Sequence, residues 1–352
     1  MKLTDINIKE RMRHYNVPGL SITLLENGQI CGSENYGVLE VERDKKINEN
    51  TIFNACSISK FLTGMVAMKL IDEGLLDLDE DINKRLVSWK VPENEFTKNE
   101  SVTLRNLLSH QSGIKDPEGS FSELNTKVGV PSMVELLEGK TPYCKDPIKV
   151  LYEPESEFHY SDAGFCIVQQ LIEDVTEKPF YQVGNELIFK PLGMENSHLH
   201  TAMLDMNKKE FSCGHNKNGE AVDGKYPIYP YPAASGLWTT SIDLAVLVFE
   251  LMNALKGESE IGISESLAKE MITPQKDKSW TGLGMFLEGA ERELEITSLG
   301  WGVGFQCLLA AFPHSEKGAI IMTNAELGVH QMEGVIGEIY RSLMKPNSRE
   351  SL

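Results

Sequence analysis

The chain has 352 residues, of which 41% are hydrophobic and 24% are charged, with 29 Gly and 15 Pro, a composition typical of a globular protein. This composition excludes a disordered or collagen-like chain, and the length allows two domains or one domain with a large insertion. The 52 acidic residues outnumber the 34 Lys and Arg, and the formal net charge of −18 would repel the phosphate backbone of a nucleic acid. We therefore expect no nucleic-acid partner.

The first residues and the cysteines indicate a cellular compartment. Residues 1–11 lack the continuous apolar stretch of a signal peptide, and no later segment reaches the roughly 18 apolar residues of a membrane span. We therefore expect a cytoplasmic protein that does not contact the membrane. The six cysteines form no C-x-x-C pair, so we predict neither a zinc ribbon nor a redox dithiol, but buried, reduced thiols.

In chain order, the first predicted elements are an amphipathic helix, two strands around the turn dipeptide Asn27-Gly28, and a helix that is apolar on nearly every side and ends at Gly74. They cover residues 8–15, 20–25, 29–36 and 61–71. From about 78 to 230 the pattern is helical, with candidate helices at 79–87, 104–108, 132–137, 163–175 and 181–188. Strand patterns return at 305–312 and 319–322, and apolar residues at helical spacing over 329–343 predict a final helix.

This order predicts a mixed α/β (α+β) fold. One antiparallel sheet would be built from both ends of the chain and flanked by helices, with a mainly helical inserted domain. We expect the sheet-and-helix domain to combine residues 1–60 with 230–352, and the helical domain to span 61–229.

The strongest chemical feature is an S-x-x-K pattern, Ser57 to Lys60, at the start of the buried helix. Residues three apart on a helix share a face, so the lysine can reach the serine hydroxyl. A neutral lysine can activate a serine nucleophile, and burial lowers the pKa of a lysine. The helix N-terminus also supplies N–H groups that could hold an oxyanion.

The motif alone is weak, because three other serines, Ser112, Ser266 and Ser342, are also followed by a lysine three residues later. Only Ser57 begins a buried helix straight after a predicted strand, which includes residues 51–53. A helix-capping serine with a solvent-reaching lysine is an equally compatible interpretation of the residues themselves. Tyr160, which precedes a predicted helix, could relay protons to a leaving group, or could be a partly buried core residue.

At these residues the chain resembles the serine β-lactamase-related hydrolases, which include class C β-lactamases, D-peptidases and penicillin-binding-protein-like esterases. The resemblance spans about residues 10–340 as one unit. Its segments are the nucleophile motif, a structural turn, the position of the family's Y-x-N motif, and three further landmarks, at residues 53–60, 102–114, 160–162, 191–194, 233–240 and 322–324. It implies that Ser57 is the nucleophile, Lys60 its base and Tyr160 the proton relay. Apart from the resemblance, we interpret His110, which lies in the segment of the structural turn, as a buried histidine bonded to backbone.

Two positions depart from the family pattern. The family's third motif, K-T-G or H-x-G, aligns with Ser298-Leu299-Gly300, so that a hydroxyl replaces the cationic or imidazole group that would attract a substrate carboxylate. By the same resemblance, the oxyanion would be held by the backbone N–H groups of Ser57 and Trp301. Asp162 replaces the asparagine of Y-x-N, and an ionised carboxylate there would raise the pKa of Lys60. Both changes argue against efficient β-lactamase activity.

The sequence therefore predicts a serine hydrolase that acts through an acyl-enzyme on small esters or amides, of esterase or D-peptidase type, with weak or no β-lactamase activity. An acyltransferase that uses the same acyl-enzyme remains an alternative, as does a catalytically degenerate acylated sensor or binding protein. We expect no metal and no organic cofactor, and a small-molecule ester, amide or peptide as the substrate. The sequence does not indicate the oligomeric state.

Overall fold

The computed structural model describes residues 6–199 and 210–344, and its centre is an antiparallel sheet of six strands. The strands of the protein are β1 (Gly19–Glu26), β2 (Gln29–Gly37), β3 (Phe53–Cys56), β4 (Leu237–Thr239), β5 (Phe286–Glu288), β6 (Glu295–Gly302), β7 (Phe305–Phe312) and β8 (Lys317–Thr323). The central sheet has the order β2-β1-β8-β7-β6-β5, and β3 pairs with β4 in a separate small sheet. The predicted sheet from both ends of the chain is therefore confirmed.

Ten α-helices lie in the described residues. They are α1 (Ile8–His14), α2 (Ser59–Asp72), α3 (Leu104–Leu108), α4 (Met133–Leu137), α5 (Asp162–Thr176), α6 (Phe180–Gly184), α7 (Pro232–Ser235), α8 (Ser241–Ala254), α9 (Glu265–Met271) and α10 (Val335–Met344). One face of the sheet packs against α1 and α10, and the other face belongs to the larger core that contains α2, α5 and α8. The predicted α/β class is confirmed.

The first hairpin and the buried helix form as the local sequence predicts. Asn27 and Gly28 both have positive φ, 54° and 67°, as a two-residue hairpin turn between twisted strands requires. Residues 59–68 and Leu70 of α2 are all buried, and Gly74, with φ of 73°, follows the end of the helix. The helix therefore places whatever polar groups it carries inside the protein.

Two predicted helices are wrong in extent. Residues 79–87 contain only a single 3₁₀ turn, Ile82–Lys84, because aspartate side chains bind the backbone: Asp77 accepts hydrogen bonds from two N–H groups, and Asp81 accepts one. The last helix begins at Val335 and not at 329, since the segment before it forms a separate 3₁₀ turn, Gln331–Glu333, that ends at Gly334.

The domain division into 1–60 with 230–352 and 61–229 stays a prediction, and its first boundary falls within α2. Five of the six cysteines are buried and all six are unpaired, whereas Cys31 is exposed, so the expectation of burial is wrong for that residue. Within 6–199 and 210–344, no helix has the length and apolar character needed to span a bilayer.

Candidate active site

Ser57 lies in a tight turn between β3 and α2 and is half-buried. The turn is strained, because Cys56 has a φ of 49°, a region that non-glycine residues rarely adopt. Hydrogen bonds hold this conformation: Asn54 Oδ1 accepts from the Cys56 N–H at 2.8 Å, and Ser59 Oγ donates to the Cys56 carbonyl at 2.6 Å. Strain of this kind is common at functional sites, where it fixes one side chain in position.

The helix itself begins at Ser59, so Ser57 precedes it by two residues instead of lying in its first turn, where we expected the motif. Ser57 nevertheless stays one turn from Lys60, because the Lys60 N–H donates to the Ser57 carbonyl at 3.0 Å. The backbone therefore makes a helical turn from Ser57 to Lys60, and the S-x-x-K spacing brings the two side chains together as predicted.

The Lys60 ammonium donates three hydrogen bonds and is only 3% exposed. Its Nζ lies 2.6 Å from Asp162 Oδ1, 2.9 Å from the Ala234 carbonyl oxygen and 3.3 Å from Ser57 Oγ. These partners come from three elements far apart in the chain. The lysine thus joins α2, α5 and α7 at one point.

The pKa of Lys60 is raised above its ordinary value. Burial, the largest single influence, opposes the positive charge, but the attraction of Asp162 and of Tyr160 more than offsets it. The expectation that the apolar helix lowers the pKa of this lysine is therefore wrong, because α5 places a carboxylate against the ammonium. The effect that we inferred for an ionised Asp162 is confirmed in direction.

Tyr160 immediately precedes α5, and its hydroxyl interacts with the side chains of Lys60 and Ser57. The Lys60 ammonium also lies 4.8 Å from the centre of the tyrosine ring, within range of a cation–π contact. Burial of the hydroxyl raises the pKa of the phenol, and Lys60 partly counters that shift. The ring itself faces outward, since Tyr160 is 40% exposed. The tyrosine is therefore not the partly buried core residue of the alternative interpretation.

Of the other three S-x-x-K pairs, none is shown to form such a cluster. Lys115 is exposed, and Lys269 is exposed and forms an ion pair with Glu265. Lys345 lies outside the described residues. The choice of Ser57 from four matches rested on its position before a buried helix, and the geometry agrees with that choice.

His110 supports the tyrosine from behind. Its ring stacks on Tyr160 with 4.4 Å between centroids, and its Nδ1 accepts a hydrogen bond from the Ser161 N–H at 3.1 Å. Burial, with a smaller contribution from Lys60, lowers the pKa of His110 well below its usual range, so the ring is neutral. The prediction of a buried histidine bonded to backbone is confirmed.

The sequence interpretation missed Asp116. Its carboxylate accepts hydrogen bonds from the Ser161 hydroxyl at 2.8 Å and from the N–H groups of Asp162 and Ala163, each at 2.9 Å. It therefore fixes the N-terminus of α5, and with it the positions of Tyr160 and Asp162, which both contact the Lys60 ammonium. The unpaired N–H groups of a helix N-terminus always need acceptors, but the sequence does not indicate which distant carboxylate supplies them.

The predicted third motif lies on β6, directly beside the nucleophile turn. A Cβ added to Gly300 would lie 2.3 Å from the Ala55 carbonyl oxygen, and one added to Gly302 would lie 2.8 Å from Cys56 Sγ. Only glycine fits at this approach. Because side chains alternate along a strand, Ser298 faces the same side of β6 as these two glycines.

The strand register also determines where the Trp301 N–H points. The Asn324 N–H donates to the Gly19 carbonyl, so the backbone groups of Asn324 point toward β1. Successive residues of a strand point their backbone groups to opposite sides, so the groups of Thr323 point toward β7 and bond to its partner Gln306. Gln306 therefore does not bond to Trp301, its partner on β6. Since β5 pairs with β6 only as far as Thr297, the Trp301 N–H points to a free edge.

Ser298 is 5% exposed, and its hydroxyl has no hydrogen-bond partner among residues 6–199 and 210–344. The site thus has two unlike sides. We call Ser57, Lys60, Tyr160 and Asp162 the nucleophile wall, and Ser298, Gly300 and Trp301 the third-motif wall. All the predicted site residues lie on one or the other.

Two cavities of the protein lie elsewhere. One of about 600 Å³ is lined by α1 and β2 residues, and one of about 290 Å³ lies beside α4 and the middle of α5; neither is lined by Ser57, Lys60 or Tyr160. Within the described part of the chain, no group of three or more His, Cys, Asp or Glu side chains is arranged to hold a metal ion.

Known proteins resemble this chain over most of its length. It is 27% identical to protein flp of Staphylococcus aureus (strain MRSA252) over 236 residues, which is 67% of this chain and 44% of that protein. It is 25% identical to a Staphylococcus aureus teichoic acid D-alanine hydrolase over 235 residues, 66% of this chain and 53% of that protein. The chain thus spans about half the length of these relatives.

The fold is shared with an octameric penicillin-binding protein homologue from Pyrococcus abyssi, with a TM-score of 0.77, 22% identity, and coverage of 97% of this chain and 77% of that chain. Residues 5–335 match the family described as Beta-lactamase. The chain therefore belongs to the β-lactamase family, as the resemblance in the sequence predicted.

Proposed function

We propose that the protein hydrolyses small esters or amides through an acyl-enzyme formed on Ser57. The observation that carries this proposal is the convergence at Lys60, whose ammonium contacts the Ser57 hydroxyl while Asp162 and Tyr160 lie on its other sides. A capping serine and a solvent-reaching lysine would not require a buried ammonium with three partners.

In the proposed first step, Ser57 Oγ attacks the substrate carbonyl and loses its proton to Lys60. The raised pKa means that Lys60 is charged before substrate binds, so its amine must first give up a proton. Asp162, 2.6 Å away, is placed to accept that proton. When substrate displaces water, the neutral pair becomes more favourable, because charges cost more in a dry site.

In the second step, Tyr160 protonates the leaving group and takes a proton back from Lys60. The tyrosine hydroxyl lies next to both Lys60 and Ser57, as this relay requires. For hydrolysis of the acyl-enzyme, Tyr160 passes its proton to the now neutral Lys60 and takes one from the attacking water, and Lys60 returns its proton to Ser57 Oγ as the acyl group leaves. The N–H groups of Ser57 and Trp301 would hold the oxyanion in both steps.

The third-motif wall supports a substrate without a carboxylate beside the scissile bond. Ser298 offers a hydroxyl where the family pattern has a cation, so a β-lactam would lose its main anchoring group. The similarity to a teichoic acid D-alanine hydrolase supports D-alanyl esters as candidate substrates. We propose weak or no β-lactamase activity, no cofactor, and action in the cytoplasm.

A second candidate function is favoured by the charged Lys60 and the missing cation at Ser298. Both features would slow deacylation or acylation, which would suit an acylated sensor. Transfer of the acyl group to an alcohol or amine is the third outcome of the same chemistry.

The test is intact-protein mass spectrometry during exposure to p-nitrophenyl acetate, D-alanyl esters and a penicillin, with the adduct mapped to a residue. A hydrolase gives steady turnover and a transient adduct on Ser57. One stoichiometric burst would instead support the sensor, and an acylated product formed with an added amine would support the transferase. An adduct on another residue would refute the proposed nucleophile.

A further inference from the structure

Four aromatic side chains lead outward from the candidate site. Starting from Tyr160, the ring of Phe286 stacks at 6.3 Å and an interplanar angle of 22°; Phe158 lies 6.3 Å from Phe286, and Trp280 lies 6.2 Å from Phe158. We call these four residues the aromatic row. Its two ends are open to solvent, since Tyr160 is 40% and Trp280 is 46% exposed, and its middle is half-buried.

We propose that the aromatic row binds an apolar, aromatic leaving group of the substrate, the alcohol or amine part that departs when Ser57 is acylated. This inference rests on the proposed function, and it goes beyond it by naming a binding site for one part of the substrate. Large exposed aromatic rings in series are costly in water unless a ligand covers them.

The row lies on the leaving-group side of the nucleophile. Tyr160 is the residue proposed to protonate the leaving group, so that group must be in contact with the tyrosine. The backbone just before Ser57 lies against β6, since a Cβ added to Gly300 would be 2.3 Å from the Ala55 carbonyl oxygen, and the oxyanion is proposed to lie on that side. A leaving group that extends past Tyr160 therefore meets Phe286 first.

Phe286 also adjoins the third-motif wall. It pairs with Thr297 of β6, the residue before Ser298. Directly paired residues share a face of the sheet, so Phe286 lies on the face of Thr297, and the row itself presents only aromatic rings to a leaving group. This apolar environment suits an uncharged ring and disfavours a carboxylate.

The row is built on a rigid support. Trp280 and Phe286 belong to one backbone hairpin, in which the Leu287 N–H donates to the Trp280 carbonyl at 2.8 Å. The turn of this hairpin packs against α2, because a Cβ added to Gly284 would lie 2.6 Å from the Lys60 carbonyl oxygen. The aromatic rings are therefore held at a fixed position relative to Lys60 and Ser57.

The experiment compares methyl acetate with benzyl acetate, which share an acyl group and have alcohols of similar acidity. We expect kcat/KM to be about tenfold higher for the benzyl ester. Trp280→Ala and Phe286→Leu should each bring the ratio of the two esters close to one, mainly through KM for the benzyl ester, while the methyl ester is hydrolysed as before. Tyr181→Ala removes an aromatic residue of similar exposure, 38%, on α6 and should leave the ratio unchanged.

A second measurement is independent of ester reactivity. Benzyl alcohol should inhibit methyl acetate hydrolysis competitively, and Trp280→Ala should weaken this inhibition several-fold. Equal kcat/KM for the two esters in the unmodified protein would overturn the inference, as would a parallel loss of both esters in Trp280→Ala. If neither ester is hydrolysed and Ser57 is not acylated, the proposed function itself fails, whereas hydrolysis of both without preference rejects only the aromatic subsite.

Discussion

The nucleophile wall and the third-motif wall differ in how their polar groups are paired. On the first, the Lys60 ammonium has three hydrogen-bond partners, and Asp116 and His110 fix the backbone around Tyr160. On the second, the Ser298 hydroxyl has no partner in the described residues, and the Trp301 N–H points to a free strand edge. The groups proposed to move protons are therefore prearranged, while the groups proposed to anchor a substrate are unpaired and neutral.

This difference indicates that the residues proposed to carry out the reaction and the residues proposed to select the substrate can be changed separately. The charged cluster around Lys60 forms only when several helices lie at fixed positions, and changing one member alters the hydrogen bonds of the others. A single unpaired hydroxyl on a strand holds no other group in position, so its removal breaks no hydrogen bond. The following changes test each wall in turn.

The nucleophile wall is tested most directly by Ser57→Ala. Without the hydroxyl no acyl-enzyme can form, and we expect kcat for p-nitrophenyl acetate to fall by about 10⁴-fold or more with circular dichroism unchanged. Ser266→Ala, which alters an exposed serine of another S-x-x-K pair, should keep full activity. Unchanged hydrolysis in Ser57→Ala would falsify the assignment of the nucleophile.

The backbone of the third-motif wall is tested by Trp301→Pro, which removes the N–H proposed to hold the oxyanion. The substitution leaves the pairing with β7 intact, because that N–H points away from it, and we expect kcat to fall by about 10²–10³-fold. Leu299→Pro, two residues earlier on the same edge, is the matched control and should cost far less. Similar losses in both variants would mean that the strand, and not the donor, is responsible.

The side chain of the third-motif wall is tested by Ser298→His, which restores an imidazole of the family pattern. The added donor should increase acylation by a fluorescent penicillin by about tenfold. Thr297→His places the same group on the opposite face of β6 and should have no such effect. A penicillin response that is the same in both variants would count against the register that we assign to this motif.

The ion pair of the nucleophile wall is tested by Asp162→Asn. The pKa of Lys60 should fall, because burial is then no longer outweighed, and the limb of kcat/KM that reports deprotonation of the lysine should move to lower pH by about 1–3 pH units. The pKa of Lys60 is higher in the folded than in the unfolded chain, so its pair with Asp162 stabilises the fold at neutral pH and loses this effect only above the usual pKa range of lysine. The variant should therefore also have a lower Tm at neutral pH.

Asp79→Asn is the control for that experiment. Asp79 pairs with Arg105 at the surface, far in the chain from the site, and its removal should leave the pH profile unchanged. A profile that is identical in the unmodified protein and in Asp162→Asn would show that Lys60 does not titrate in the rate-limiting step.

Local sequence patterns predicted the elements that depend on local interactions. The Asn27-Gly28 turn, the buried α2 and the amphipathic α5 all follow from periodicity and turn chemistry. The prediction failed at 79–87, where aspartate side chains compete for backbone N–H groups, an interaction that periodicity does not register.

The sequence by itself determined the fold class, the serine and lysine one turn apart, and the absence of a cation at Ser298, since these depend on residue identity and on spacing along one element. Only the tertiary structure decided the charge of Lys60, because Asp162 reaches it from a helix 102 positions away in sequence. It also decided the partner of the α5 N-terminus and the contacts of the aromatic row. Electrostatic and ring contacts act through space, so their strength is set by which elements the fold brings together.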